Sequence, residues 1–379
     1  MEFKKGITTG TCAALAAAGA VKMALTGKLT DEAAVMTPSG VIVKEPLHER
    51  LINCKSASCA VKKYSGDDPD ITDGVLVYAE VTLNESNEIK IDGGRGVGRV
   101  TKPGLQQKIG EAAINKVPLK MIRDAVSNEM EKYGAICGAK VIISIPQGEE
   151  IAKKTFNPGL GIEGGISVLG TSGIVEPMSE RALIDTIKTE IKYKKANDGD
   201  SIMLAPGNYG IDFMRQSMGI DMDRAVKCSN FIGEALDCCA DENFKNILLI
   251  GHIGKLSKLA AGVMNTHSKI ADVRAEVFMA NAAFVGADCG VIKQISECVS
   301  TDAMADVLKQ CGLLRDTMKR ITERAEFYVN KRIGGNVTSG IIMFSNVHGI
   351  LGKTENVDIL VKKFREDKND IPYRNRNGQ

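Results

Sequence analysis

Ile247-Leu248-Leu249-Ile250-Gly251-His252-Ile253-Gly254-Lys255 is the stretch that decides the fold. The aliphatic run 247–250 reads as a strand, residues 251–255 as a glycine loop, and the residues through Met264 as a helix. The same order appears on either side. Upstream, residues 202–205 form a strand signal followed by Pro206-Gly207-Asn208-Tyr209-Gly210. Earlier, residues 166–169 are short and apolar and run into Gly170-Thr171-Ser172-Gly173. Ser179 then precedes a helix whose apolar positions are Leu183, Ile184, Ile187 and Ile191. Downstream, long helices fill 272–333. A last buried strand over 337–344 ends in Ser345-Asn346-Val347-His348-Gly349. Strand, glycine loop, helix, strand is the pattern of a parallel sheet with covering helices.

The first part of the chain has another rhythm. Gly6-Ile7-Thr8-Thr9-Gly10-Thr11 is a loop rich in hydroxyls, and the alanine-dense residues 12–25 form a helix capped by a threonine and closed by Gly27. Residues 41–43 are a short strand. Val75, Val77, Ala79, Val81 and Leu83 alternate at period two, as in a strand with one buried face. Ile89 and Ile91 continue after a turn, and 141–145 is a further buried strand ended by Pro146. The expected fold class is therefore α/β: an N-terminal α+β domain over 1–148, then an α/β domain with a mainly parallel sheet over 149–379. Residues 362–379, charged and containing Pro372, read as a surface tail.

A chain of 379 residues suits two cores. Its 44% hydrophobic and 25% charged residues are those of a globular protein. The net charge of +2 gives no overall pull toward nucleic acid or membrane, so neither is an expected partner. Lys22 interrupts the apolar N-terminal stretch, which also lacks the form of a targeting peptide. The 10 cysteines form no C-x-x-C pair and read as reduced thiols of a cytoplasmic protein. No metal site is expected.

Ligands of open parallel sheets collect beyond the carboxyl ends of the strands. The loops 170–173, 206–210 and 251–255 occupy such places, and glycine lets backbone N–H groups approach a ligand there. Each loop alone is equally a tight turn. Lys255 does not complete a nucleotide P-loop, because Leu249 stands where the first glycine belongs and Leu256 follows the lysine. The loop Asp92-Gly93-Gly94-Arg95-Gly96-Val97-Gly98 fits the D-x-G-x-G-x-G pattern of many Rossmann-type methyltransferases, yet no helix follows it directly. Arg95, Arg99 and Lys102 instead make it a basic loop suited to carboxylates. Of the four histidines, His252 and His348 lie just after strands, where a general base or an orienting group would sit. His267 near Asp272, and Glu163 and Glu176 beside the 170–173 loop, are weaker candidates. His48 has no feature that points to a role.

Taken in order, the segments Gly6-Ile7-Thr8-Thr9-Gly10-Thr11-Cys12-Ala13-Ala14, 93–105, Thr155-Phe156-Asn157-Pro158, 161–178, Gly207-Asn208-Tyr209-Gly210, Lys227-Cys228-Ser229-Asn230, 251–265 and Ser345-Asn346-Val347-His348-Gly349 resemble the cobalt-precorrin-5B C1-methyltransferase (CbiD) family of anaerobic cobalamin biosynthesis. The resemblance runs from about residue 5 to 353. Arg95 stands where many members carry proline. The family implies S-adenosyl-L-methionine (SAM) as methyl donor and a cobalt-bound tetrapyrrole as acceptor, the cobalt arriving with the substrate. SAM is expected over Gly170, Thr171, Ser172, Gly173, Gly207, Asn208, Gly251 and Gly254. Arg99, Lys102, Thr8 and Thr9 are expected to bind substrate, with the corrinoid between the domains. The 1–148 domain would then face substrate and the 149–379 domain bind SAM, with His252 or His348 managing protons. A phosphate-transferring kinase, a tetrapyrrole carrier indifferent to SAM, and a SAM enzyme for another substrate are the alternatives. The sequence leaves the oligomeric state open, and a homo-oligomer is compatible with it.

Overall fold

Residues 3–155, 157–177, 179–207 and 224–366 are described by the computed structural model. They fall into two units, Met1–Glu180 and Arg181–Gln379.

In the first unit the strands are β1 (Gly6–Ile7), β2 (Glu32–Met36), β3 (Ile42–Pro46), β4 (His48–Asn53), β5 (Ser56–Lys62), β6 (Leu76–Asn84), β7 (Ile89–Gly93), β8 (Gly96–Val97), β9 (Arg99–Val100), β10 (Gly138–Ser144), β11 (Ile162–Glu163), β12 (Gly165–Ile166) and β13 (Ile174–Val175). The main sheet runs β4-β5-β6-β10-β7. The alternation read in β6 is real: Val77, Ala79 and Val81 are fully buried. β7 does not pair with β6, its neighbour in sequence; β10 inserts between them, antiparallel to β6 and parallel to β7.

Helix α1 (Thr9–Thr26) packs on β5, β6 and α2 (Lys116–Lys132). Thr8 caps it, its Oγ1 accepting from the Thr11 N–H at 3.2 Å, and Gly27 ends it in the left-handed region with φ 65°. Its alanines allow close approach: Cys59 Sγ reaches the Ala16 carbonyl at 3.2 Å. Although long and apolar, α1 is a core helix, with Leu15 and Met23 fully buried. Truncating either to alanine costs about 2–5 kcal/mol.

The expected boundary near residue 148 moves to residue 180. Three short ladders hold the intervening residues in the first unit: β11 pairs with β9, β12 with β8 and β13 with β1. α3 (Gly148–Ala152) packs there too, against β8 and β12.

The second unit starts with α4 (Glu180–Asp198), followed by β14 (Ser201–Ala205), β15 (Val226–Lys227), α5 (Ile232–Asp241), β16 (Asn246–His252) and α6 (Ile253–Leu256). Then come α7 (Arg274–Phe284), α8 (Cys289–Glu297), α9 (Thr301–Gln310), α10 (Leu314–Ile333), β17 (Thr338–Ser345), β18 (Gly349–Lys353) and α11 (Val357–Glu366). Its sheet order is β15-β14-β16-β17-β18, parallel except for β18. The expected α/β fold class, with a mainly parallel sheet, is therefore observed.

Both faces of this sheet are covered, which is why its strands read as unbroken apolar runs. Ile202, Leu204, Ile247, Leu249, Ile341 and Met343 face a core that includes residues of α4, α5 and α10. Met203, Leu248, Ile250, Ile342 and Phe344 face Val357, Leu360, Val361 and Phe364 of α11. Residues 362–366 thus belong to a packed helix and not to a tail; 367–379 lie outside the described residues.

Strand order also locates a crevice. From β14 the chain goes to β15 on one side, then returns to β16 on the other side of β14. This reversal is a switch point, and its crevice opens at the carboxyl ends of β14 and β16.

Candidate functional site

At those carboxyl ends, β16 delivers His252 and α6 begins at the next residue. His252 caps α6 with its side chain: Nδ1 accepts the Gly254 N–H at 3.1 Å. A neutral ring with an acceptor Nδ1 carries its proton on Nε2. Nε2 faces Asp302 Oδ2 at 3.8 Å, and the ring stands edge-on to Phe344 with centroids 5.9 Å apart. Burial lowers the His252 pKa, and the Asp302 charge only partly opposes it. At neutral pH the imidazole is therefore uncharged, a donor at Nε2 and a cap at Nδ1.

Asp302 comes from the first turn of α9, and Asp306 lies one turn on, on the same face. Asp302 also accepts from Ser345 Oγ at the end of β17. The Ser345 oxygen in turn accepts the N–H groups of Val347 at 3.0 Å and His348 at 3.2 Å. One carboxylate thus orders the turn that carries His348. The His348 side chain is 5% exposed, with Nε2 3.4 Å from Asp306 Oδ1. The two atoms do not align as a hydrogen bond, so the buried Nε2 is without a hydrogen-bond partner. α9 therefore sets one aspartate against each of the two candidate histidines.

Lys255 sits across the switch point. Its Nζ donates to the Pro206 carbonyl at 2.8 Å and to the Ser229 carbonyl at 3.5 Å. Ser229 has φ 51°, a left-handed conformation that a serine rarely adopts. Gly207 follows Pro206 directly; Asn208, Tyr209 and Gly210 lie outside the described residues. Gly251 is closely packed, since a Cβ there would stand 3.0 Å from Pro206 and Leu256 atoms.

The remaining expected site residues belong to the first unit. The loop from Gly170 to Gly173 wraps the start of α1. Thr8 N–H donates to the Gly173 carbonyl at 3.2 Å, Thr11 Oγ1 to the same oxygen at 2.6 Å, and Ser39 N–H to the Ser172 carbonyl at 3.1 Å. Thr9 Oγ1 donates to the Leu169 carbonyl and accepts its N–H. Gly170 has φ 137°, and a Cβ there would come within 2.4 Å of Thr8 Oγ1. Thr171 is exposed on the same loop. Thr8 and Thr9 are buried, and their hydroxyls serve this packing. The three glycine loops are split between the two units: 170–173 in the first, 206–207 and 251–254 in the second.

The basic loop is also less free than its sequence suggests. Arg99 grips Asp92 through both guanidinium nitrogens, at 2.7 and 3.1 Å, and donates to the carbonyls of Gly93 and Gly110. Partial burial would raise the Asp92 pKa, but Arg99 and the Gly93 N–H outweigh it and hold the carboxyl below its ordinary value. Arg95 reaches Glu149 at 3.3 Å. Lys102 is exposed, its stem lying against Gly161. Glu163 lies 3.4 Å from Thr101 Oγ1, Glu176 pairs with Lys5 at 2.7 Å, and His267 Nδ1 accepts the Lys269 N–H.

Sequence reasoning missed Asp302, Asp306 and the bridging role of Lys255. Ser300-Thr301-Asp302 is a helix-start signal, but nothing local ties it to His252 or Ser345, which are far away along the chain.

The likeness to known proteins agrees with the resemblance read from the ordered segments. A family model described as CbiD matches residues 1–177, and one for the CbiD C-terminal domain matches 265–355. A Ruminiclostridium cellulolyticum protein named cobalt-precorrin-5B C(1)-methyltransferase is 48% identical over 347 residues, covering 92% of this chain and 90% of that protein. Proteins of the same name from Listeria welshimeri (38% over 367 residues; 96% of this chain, 97% of that one) and Alkaliphilus metalliredigens (39% over 369 residues; 97% and 96%) are also similar. The 1.9 Å crystal structure of the cobalamin biosynthesis protein (cbiD) from Archaeoglobus fulgidus matches with a TM-score of 0.39 at 28% identity, over 72% of this chain and 84% of that one. The chain belongs to the CbiD family.

Proposed function

We propose that the protein is a SAM-dependent C-methyltransferase that methylates carbon 1 of cobalt-precorrin-5B, giving cobalt-precorrin-6A and S-adenosylhomocysteine. The observation that carries this reading is the near-full-length likeness to relatives bearing that name. The switch-point crevice supports placing SAM in the second unit, over Gly207 and residues 251–254. At its rim Lys255 and Ser229 offer polar contacts to the donor. Cobalt enters as part of the substrate. Lys102, exposed in the first unit, is proposed to meet the corrinoid's carboxylates. We place the protein in the cytoplasm, in keeping with a biosynthetic enzyme; the long apolar helix α1 is a core helix.

SAM brings a reactive sulfonium, so alignment is the main task of the protein. When bound, SAM would supply an electrophilic methyl, the carbon–sulfur electron pair staying on sulfur and carbon 1 providing the pair for the new carbon–carbon bond. Reaction needs the methyl about 3–3.5 Å from carbon 1 and in line with it. In this reading His252 positions the 251–254 loop through its cap and presents an Nε2–H, while Asp302 and Ser345 fix the neighbouring turn. No proton-abstracting role is assigned to Nδ1, which is already an acceptor.

The test is anaerobic incubation of the protein with SAM and cobalt-precorrin-5B. Protein-dependent formation of S-adenosylhomocysteine and a tetrapyrrole heavier by one methyl replacing hydrogen or a proton supports the reading. Tetrapyrrole binding with no consumption of SAM would favour the carrier alternative.

A further inference from the structure

We infer that Lys255 is the carboxylate-binding residue of the second unit, holding a ligand carboxylate at the β14–β16 switch point with Ser229 beside it. The inference rests on the function proposed above and adds a residue and a ligand group to it.

Four observations carry it. First, an ammonium has three donors, and two go to the Pro206 and Ser229 carbonyls. Among the described residues nothing takes the third. Second, among the described residues no carboxylate pairs with Lys255. Among the described residues the titratable groups that act on it are Cys228 and Lys258. The Cys228 thiol is neutral, burial having pushed its pKa up to about 12, and Lys258 repels. A half-buried cation with no anion is costly, and burial lowers the Lys255 pKa accordingly. An arriving carboxylate would raise it again. Third, the position is where an open parallel sheet gathers ligands: the Lys255–Pro206 bond joins the ends of the two strands that flank the reversal of strand order. Fourth, Ser229 keeps a left-handed backbone that costs about 1–3 kcal/mol. That conformation brings its carbonyl to Lys255. Such strain gathers at ligand sites.

Two ligands of the proposed reaction carry carboxylates: the methionine part of SAM and the acidic side chains of the tetrapyrrole. The experiment separates them. Binding of SAM, decarboxylated SAM and cobalt-precorrin-5B is measured by calorimetry on the wild-type protein and on Lys255→Met. Lys255→Gln, which keeps an N–H for the Pro206 carbonyl, replaces Lys255→Met if that variant does not fold. If Lys255 holds the SAM carboxylate, wild type prefers SAM over its decarboxylated form by about 10- to 100-fold, and the variant loses the preference. If it holds the tetrapyrrole, the variant weakens cobalt-precorrin-5B by a similar factor and leaves the SAM preference intact. Wild-type binding of both ligands that the variants leave unchanged overturns the inference alone. Wild type that binds neither ligand overturns the function reading and the inference with it.

Discussion

Replacing His252 separates its two chemical faces. His252→Ala removes the Nδ1 acceptor of the Gly254 N–H and the ring edge against Phe344. Loss of a helix cap costs about 1 kcal/mol. Loss of an edge-to-face ring contact costs about 0.5–1.5 kcal/mol. The alanine variant should therefore lose about 1.5–2.5 kcal/mol. For a unit the size of Arg181–Gln379 that is a Tm drop of about 3–10 °C. His252→Asn restores an acceptor near the Nδ1 position, so it should recover about 2–4 °C of that loss. Asparagine cannot abstract a proton, and a general base is worth about 10²- to 10⁴-fold in rate. Because Nδ1 is the cap and Nε2 already carries the proton, His252→Asn should keep kcat within about tenfold of wild type. The assay is thermal unfolding alongside initial rates with saturating SAM and tetrapyrrole. An asparagine variant that regains stability yet loses a hundredfold or more in kcat would refute the cap assignment and make His252 an acid/base group.

Further outcomes follow from the same geometry. Burial lowers the His252 pKa, so the unfolded chain binds more protons below the ordinary histidine value of 6.5. The contribution of His252 should thus be full above pH 6.5 and fall as the pH drops below it, and His252→Asn should flatten that limb of a Tm-against-pH curve. In the first unit Lys63, with a side chain 2% exposed, donates to Asp70 and Ser65, each at 2.6 Å. Asp70→Ala strands that ammonium and should cost about 3–5 kcal/mol, whereas Lys63→Met/Asp70→Ala should recover much of the loss; urea denaturation checks both. Gly170→Ala forces a side chain into a left-handed backbone and against Thr8, and should cost at least about 1–3 kcal/mol. Gly159→Ala, with nothing within 4 Å of the new methyl, should leave the urea midpoint nearly unchanged.

What the sequence disclosed depended on whether the signal was local. A threonine cap, which proves to be Thr8, the stop at Gly27 and the alternation of β6 involve residues within a few positions, and each is found. The aliphatic run of β16 was equally plain, because a strand buried on both faces needs no polar positions. Helix α2 went unread: Met121, Ile122, Ala125 and Val126 do recur at helical spacing, but Asn115 makes no side-chain cap and Pro118 lies near its start. The insertion of β10 between β6 and β7 has no local signature. In the candidate site, Arg99 looked like a free cation because its spacing to Asp92 does not show that the chain folds back between them. His252 was visible as a loop histidine, while Asp302 meets it only because the start of α9 lies at the carboxyl ends of β16 and β17. Long-range pairing of this kind is set by tertiary structure, so a single sequence does not display it.

The central claim is methyl transfer to one carbon, and the position of a label tests it most directly. SAM carrying a carbon-13 methyl is incubated anaerobically with cobalt-precorrin-5B and the protein, and the product is analysed by NMR. The account predicts one labelled methyl on carbon 1, dependent on the protein. Label on another carbon, or SAM that binds without giving up its methyl to the tetrapyrrole, would contradict it.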